Sequence, residues 1–144
     1  RERGRGAMIS FVAILWAGLV LGVSFVATPA EFRAESLTLP VALDVGRTTF
    51  HLFAKIEWAV AAVLAMTFAV DRGSNLTTLA VVCGVVVALI LAFQALYLLP
   101  LLDVRVAAVI AGTPMGRPHL HTLFAALEVL KVVALSTLGI SALG

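Results

Sequence analysis

Four stretches of this chain, residues 9–28, 48–70, 76–99 and 119–143, are each apolar over about 20 residues or more, the length a helix needs to cross roughly 30 Å of hydrocarbon. Leu, Val, Ala and Ile dominate all four. Inside lipid every backbone N–H and C=O must find a partner within the protein, which leaves helices and closed barrels as spanning structures. A barrel strand alternates apolar and polar positions over about ten residues, and no such alternation occurs here. The expected fold is therefore all-α, a four-transmembrane-helix bundle forming a single membrane domain over residues 1–144. Composition agrees. The chain is 62% hydrophobic and 12% charged, against about 45–50% and about 25% in soluble domains.

The net charge of +2 comes with arginines at positions 1, 3 and 5. No basic stripe interleaved with aromatics accompanies them, so nucleic acid is not an expected partner. Four arginines (Arg1, Arg3, Arg5, Arg72) fall on the side of the termini and four (Arg33, Arg47, Arg105, Arg117) on the other. Charge counting therefore assigns no orientation. The lone Cys83 cannot form an internal disulfide. The first stretch has a basic start and a small-residue run at Ala27-Thr-Pro-Ala30, but its apolar length exceeds the roughly 7–15 residues of a signal peptide. It is read as a retained helix. Its Gly18-Leu-Val-Leu-Gly22 run has the spacing that lets helices approach closely. Asp71–Asn75 reads as a tight turn. The longer connections, Pro29 to Gly46 and Pro100 to Pro118, mix apolar and charged residues and are each expected to hold a short interfacial helix.

Sliding the chain on itself by 71 residues superposes Pro29 on Pro100 and Phe53-Ala-Lys-Ile-Glu57 on Phe124-Ala-Ala-Leu-Glu128. One further residue aligns Arg33 with Arg105 and Glu31 with Asp103. This predicts two tandem helix–loop–helix repeats, residues 9–70 and 76–143. Each repeat has two spans, so the copies insert with one orientation and a pseudo-twofold axis along the membrane normal.

A charge inside a span costs about 2.5–3.5 kcal/mol on insertion scales, so it is expected to face a partner. The second stretch carries His51, Lys55 and Glu57; the fourth carries His119, His121, Glu128 and Lys131; Gln94 and Tyr97 end the third. At 100° per residue, His121, Glu128 and Lys131 share one stripe, and Glu128 and Lys131 are paired as i, i+3 neighbours. Glu57 and Glu128 are expected to meet near the pseudo-axis, with Lys131 and Lys55 as sources of counter-charge. Three readings remain open: a structural cluster that fixes helix register, a proton or cation site, and ligation of a haem, metal or pigment by His51 and His121 from facing helices. Trp58, in mid-span, is expected to pack inside.

The runs Trp16-Ala-Gly18 and Phe25-Val-Ala-Thr-Pro29-Ala-Glu-Phe32 resemble the opening of a bacterial family of small four-helix membrane proteins of unknown function, related to transmembrane protein 205. Leu99-Pro100, Arg105 and Leu120-His121-Thr-Leu-Phe-Ala-Ala-Leu-Glu128-Val-Leu are similar to its closing half. The resemblance implies the same four-helix fold and singles out His121. Phe124 and Glu128 depart from it, standing where the family pattern leads one to expect serine and asparagine. A bacterial inner membrane is the implied location.

Three functions are compatible with these features. The first expectation is a structural or accessory subunit of a larger membrane complex, with lipid and other membrane subunits or further copies of itself as partners and Gly18 and Gly22 as packing positions. The second is a small proton- or cation-coupled transporter using Glu57 and Glu128. The third is a histidine-ligated cofactor protein. No catalytic triad, phosphate loop or metal-helix motif is present to favour an enzyme.

Overall fold

The computed structural model describes residues 2–70, 77–113 and 119–143, with side chains from residue 6 onward. The elements are α1 (Glu2–Val20), a π-helical stretch (Leu21–Ala27), α2 (Thr28–Glu31), α3 (Leu39–Val70), α4 (Thr78–Phe93), a second π-helical stretch (Gln94–Leu98), α5 (Leu99–Ile110) and α6 (His119–Ser141). The first three run on as one rod, as do α4, the second π stretch and α5. Four rods result, each long and apolar enough to cross a membrane. Among the described residues there is no strand.

Both π stretches end two residues before a proline. Thr28 N–H bonds Val23 O, and Leu99 N–H bonds Gln94 O, each spanning five residues instead of four. Proline has no N–H and its ring crowds the carbonyl four residues back. A widened turn just ahead of it keeps the helix continuous where an ordinary α-turn would break. Pro100 thus sits inside a rod that runs on to Ile110, and Pro29 falls in the last turn of the first rod, which ends at Glu31.

The expected interfacial helices are corrected on this point. The connections fold mostly as extensions of the spans: α3 starts at Leu39, with Pro40 at a first-turn position that proline favours, and α5 continues the third span to Ile110. The 32 residues of α3 measure about 48 Å at 1.5 Å per residue, more than the hydrocarbon thickness. Its start carries the Asp44–Arg47 pair at 2.8 Å, which belongs in the polar zone. The end of α5 is a Schellman cap. Thr113 N–H bonds Ala108 O, Gly112 N–H bonds Val109 O, and Gly112 takes φ +76°. At the opposite end of the third rod, Thr77 caps α4 through its Oγ1, which accepts from Ala80 N–H. The Asp71–Asn75 turn and Arg117 lie outside the described residues.

The rods pack in cyclic order. α1 lies against α3 and α6, α6 against α4, and α3 mainly against α5. One apolar cluster, on the side of the termini, includes Val12, Trp16, Val20, Val87, Leu91, Leu135 and Leu138. Cys83 belongs to it. A smaller one towards the loops is built on Leu98, Leu99 and Phe124. Phe50 and Phe124 meet there edge to face at 5.2 Å.

Two packing expectations change. Gly18 and Gly22 are exposed, with nothing within 4 Å of where a Cβ would stand, so among the described residues they pack on no span of this chain and face outward. The close approach of the first and fourth rods uses Gly6, packed on the Ala142 carbonyl, and Gly139, where an added Cβ would lie 2.8 Å from Ile14 Cγ1. Trp58 faces outward at 45% exposure, because its neighbour Glu57 takes the interior and adjacent residues on a helix point about 100° apart.

Gly139→Leu should therefore lower the thermal midpoint in detergent, with an overpacking cost of about 1–3 kcal/mol, whereas Gly18→Leu should leave it unchanged. Gly112→Ala should destabilise by about 1–2 kcal/mol by forcing a side chain into the left-handed region, readable in the same melting experiment.

Candidate functional site

Between the two apolar clusters lies a buried polar layer to which all four rods contribute. Its centre is the Lys131 ammonium, which is 0% exposed. Nζ lies 2.6 Å from Glu57 Oε1 and 2.8 Å from Glu128 Oε1, and donates to Gln94 Oε1 at 2.8 Å. An ammonium has three protons, so these three acceptors use its full capacity. Glu57 also receives Trp16 Nε1–H at 2.9 Å. Glu128 receives Gln94 Nε2–H at 2.8 Å on Oε1 and the Ser24 hydroxyl at 2.7 Å on Oε2. Gln94 Nε2–H reaches the Phe124 carbonyl at 3.4 Å as well.

Helix geometry explains the assembly. Glu128 and Lys131, three apart on α6, meet on one face. Glu57 reaches the same ammonium from α3 across the bundle. Ser24 and Gln94 both belong to the π stretches, so the widened turns supply two of the layer's hydrogen-bonding side chains, both to Glu128. This matches the tendency of π-bulges to sit at functional positions. The charge count is uneven. Two carboxylates share one ammonium, giving a net −1 when all are ionised, and one proton on either carboxylate makes the trio neutral.

Glu57, Glu128 and Lys131, singled out by sequence, are brought together. Lys55 is not: it is exposed on the outer face of α3, because it sits about 200° around the helix from Glu57. The two histidines stand outside this layer. His51 Nε2 is 2.7 Å from Asp103 Oδ2, a tie between α3 and α5. His121 lines a crevice of about 360 Å³ that His51 does not line. Among the described residues no group of three or more His, Cys, Asp or Glu is arranged to hold a metal ion. The crevice runs from Arg33 and His121 on the loop side, past Phe25, Phe50 and Phe124, to Ser24 and Glu128. It reaches one carboxylate of the layer and not the other.

Two members of the layer, Trp16 and Ser24, carry no charge to flag them in the sequence. The available signal was indirect: a buried carboxylate needs donors, and a tryptophan N–H in mid-span needs an acceptor.

Removing the ammonium should be the most damaging change, because it leaves two buried carboxylates without counter-charge. Lys131→Met is expected to destabilise by about 3–5 kcal/mol, the range for breaking a buried ion pair. Adding Glu57→Gln and Glu128→Gln to it should restore part of that loss in thermal unfolding. A triple variant no more stable than Lys131→Met would refute this account.

No curated protein and no solved structure matches the chain. A family model does match over residues 11–104, which carry Trp16, Ser24, Glu57 and Gln94. The chain belongs to that family, described as a domain of unknown function (DUF4149).

Proposed function

We propose that this small membrane protein is a proton-coupled carrier whose proton site is the Glu57–Glu128–Lys131 trio. The observation that carries the reading is the crevice. It brings the loop side to Glu128, while the apolar cluster around Trp16, Val20, Leu135 and Leu138 lies on the side of the termini. Ionisable groups inside a membrane that pair with one another and line a cavity are the usual parts of proton relays. The uneven charge count gives the trio room for one exchangeable proton. Four spans are few for a complete path, so two copies are expected to act together. The same proposal puts the protein in a bacterial inner membrane as a relative of transmembrane protein 205, on the sequence runs at Trp16-Ala-Gly18 and Leu120-His121. It also holds the halves to be duplicated copies. Supporting the duplication, the two π stretches end at residues 71 apart, as do the two buried glutamates.

In liposomes with an imposed pH gradient and a clamped membrane potential, the wild-type protein should dissipate the gradient. Glu128→Gln should reduce the rate to that of protein-free liposomes. Equal rates for wild type and Glu128→Gln would reject the proposal.

A second reading, an accessory subunit, is favoured by the outward Gly18–Gly22 face, which no described residue of this chain covers. Small residues on a lipid-exposed face suit close helix contacts. Native mass spectrometry after mild extraction from the cell membrane should then show other polypeptides, and a bare monomer would overturn that reading.

A further inference from the structure

The crevice is built for more than a proton. Its volume, about 360 Å³, falls in the range of small-molecule sites, roughly 300–1,000 Å³. Its walls are mainly phenylalanine: Phe25, Phe32, Phe50 and Phe124. Its charged groups stand at the two ends. At the inner end Glu128 shares the Lys131 ammonium with Glu57, and its Oε2 accepts from Ser24. At the outer end stand Arg33 and His121. Arg33 is exposed, and among the described residues nothing pairs with its guanidinium. The nearest carboxylates in sequence, Glu31 and Glu35, do not line the crevice. Of the other charged groups on that side, Arg47 is paired with Asp44, and Asp103 lies against His51.

The positive charge facing this apolar chamber therefore lies at the rim, and the net negative charge of the ionised trio lies at its inner end. The rim also has a defined depth. Arg33 follows the end of α2, where the first rod leaves its apolar run. His121 is seven residues before Glu128 on α6, so it stands about 10 Å nearer the loop side at 1.5 Å per residue. Membrane amphiphiles keep their head groups at that interfacial level and their chains below it. A guanidinium matches carboxylate and phosphate geometry in a paired, charge-assisted way.

We infer that the crevice binds a single-chain amphipathic anion drawn from the membrane, with its acidic head on Arg33 and His121 and the first carbons of its apolar chain between the phenylalanines, toward Ser24 and Glu128. Such a ligand would be the substrate class of the carrier described above, and the inference rests on that reading for its transport meaning but not for binding. A soluble aromatic acid shares the anionic group but would not need the interfacial entrance.

The test is equilibrium binding to the protein in phosphatidylcholine nanodiscs, using oleate, oleyl alcohol and benzoate as probes. Oleate should bind at least about tenfold more tightly than oleyl alcohol, as expected when a charge-assisted contact is added. Arg33→Gln, a change at an exposed position, should remove that preference and leave oleyl alcohol unaffected. Ala125→Trp should fill the chamber and weaken oleate binding, with folding checked by the melting profile. Ala125→Leu, a smaller change, should weaken it less. Equal binding of oleate and oleyl alcohol to the wild type would overturn the inference, as would full oleate preference in Arg33→Gln. Benzoate bound in preference to oleate would assign the site to a soluble acid instead. Glu128→Gln separates the two proposals: proton flux lost with oleate binding retained speaks for both, whereas normal flux with oleate binding retained rejects only the carrier.

Discussion

A single ammonium in the middle of an apolar bundle governs this structure. Lys131 is fully buried, and its three protons go to three different side chains, on α3, on the second π stretch and on its own helix. Apolar packing between spans gains little in lipid, since the lipid tails are as apolar as the side chains they replace. Close backbone contact and polar interactions must then choose the arrangement. Here Gly6 and Gly139 let the first and fourth rods approach closely, while the lysine ties the second and third rods to the fourth. Trp16 and Ser24 bring in the first through the two carboxylates.

The π-helical stretches follow from a conflict between composition and span length. Each rod must stay helical across the membrane, yet Pro29 and Pro100 fall within them. Widening the preceding turn resolves the conflict and, as a by-product, turns Ser24 and Gln94 toward Glu128. Backbone accommodation and the polar layer are therefore one feature, since the prolines lie only five and six residues beyond the side chains that contact the glutamate.

The sequence makes the spans legible because lipid leaves no other solution for four long apolar runs. It also makes Glu57, Glu128 and Lys131 legible, because buried charges are rare enough in such runs to stand out. The remainder was hidden for identifiable reasons. Lys55 looks equivalent to Lys131 by composition, and only the direction of its helix face separates them. Gly18 and Gly22 have an ideal spacing but face outward, since spacing says which residues share a face and not what that face meets. Trp16 and Ser24 look like ordinary residues of an apolar span, and their roles depend on a carboxylate 41 residues away in one case and 104 in the other. The helical continuation through both prolines was unreadable because a proline ordinarily signals an end.

The full use of the Lys131 protons bears on selectivity. A sodium-sized ion needs several oxygens around it, and one oxygen of each carboxylate, with that of Gln94, is already held by the ammonium. Such an ion would have to compete with the lysine for these oxygens. A proton needs just one free lone pair on a carboxylate oxygen and displaces nothing. On the carrier reading proposed above, the central coordination place is thus already occupied by a covalently tethered cation, which favours a proton over a metal ion.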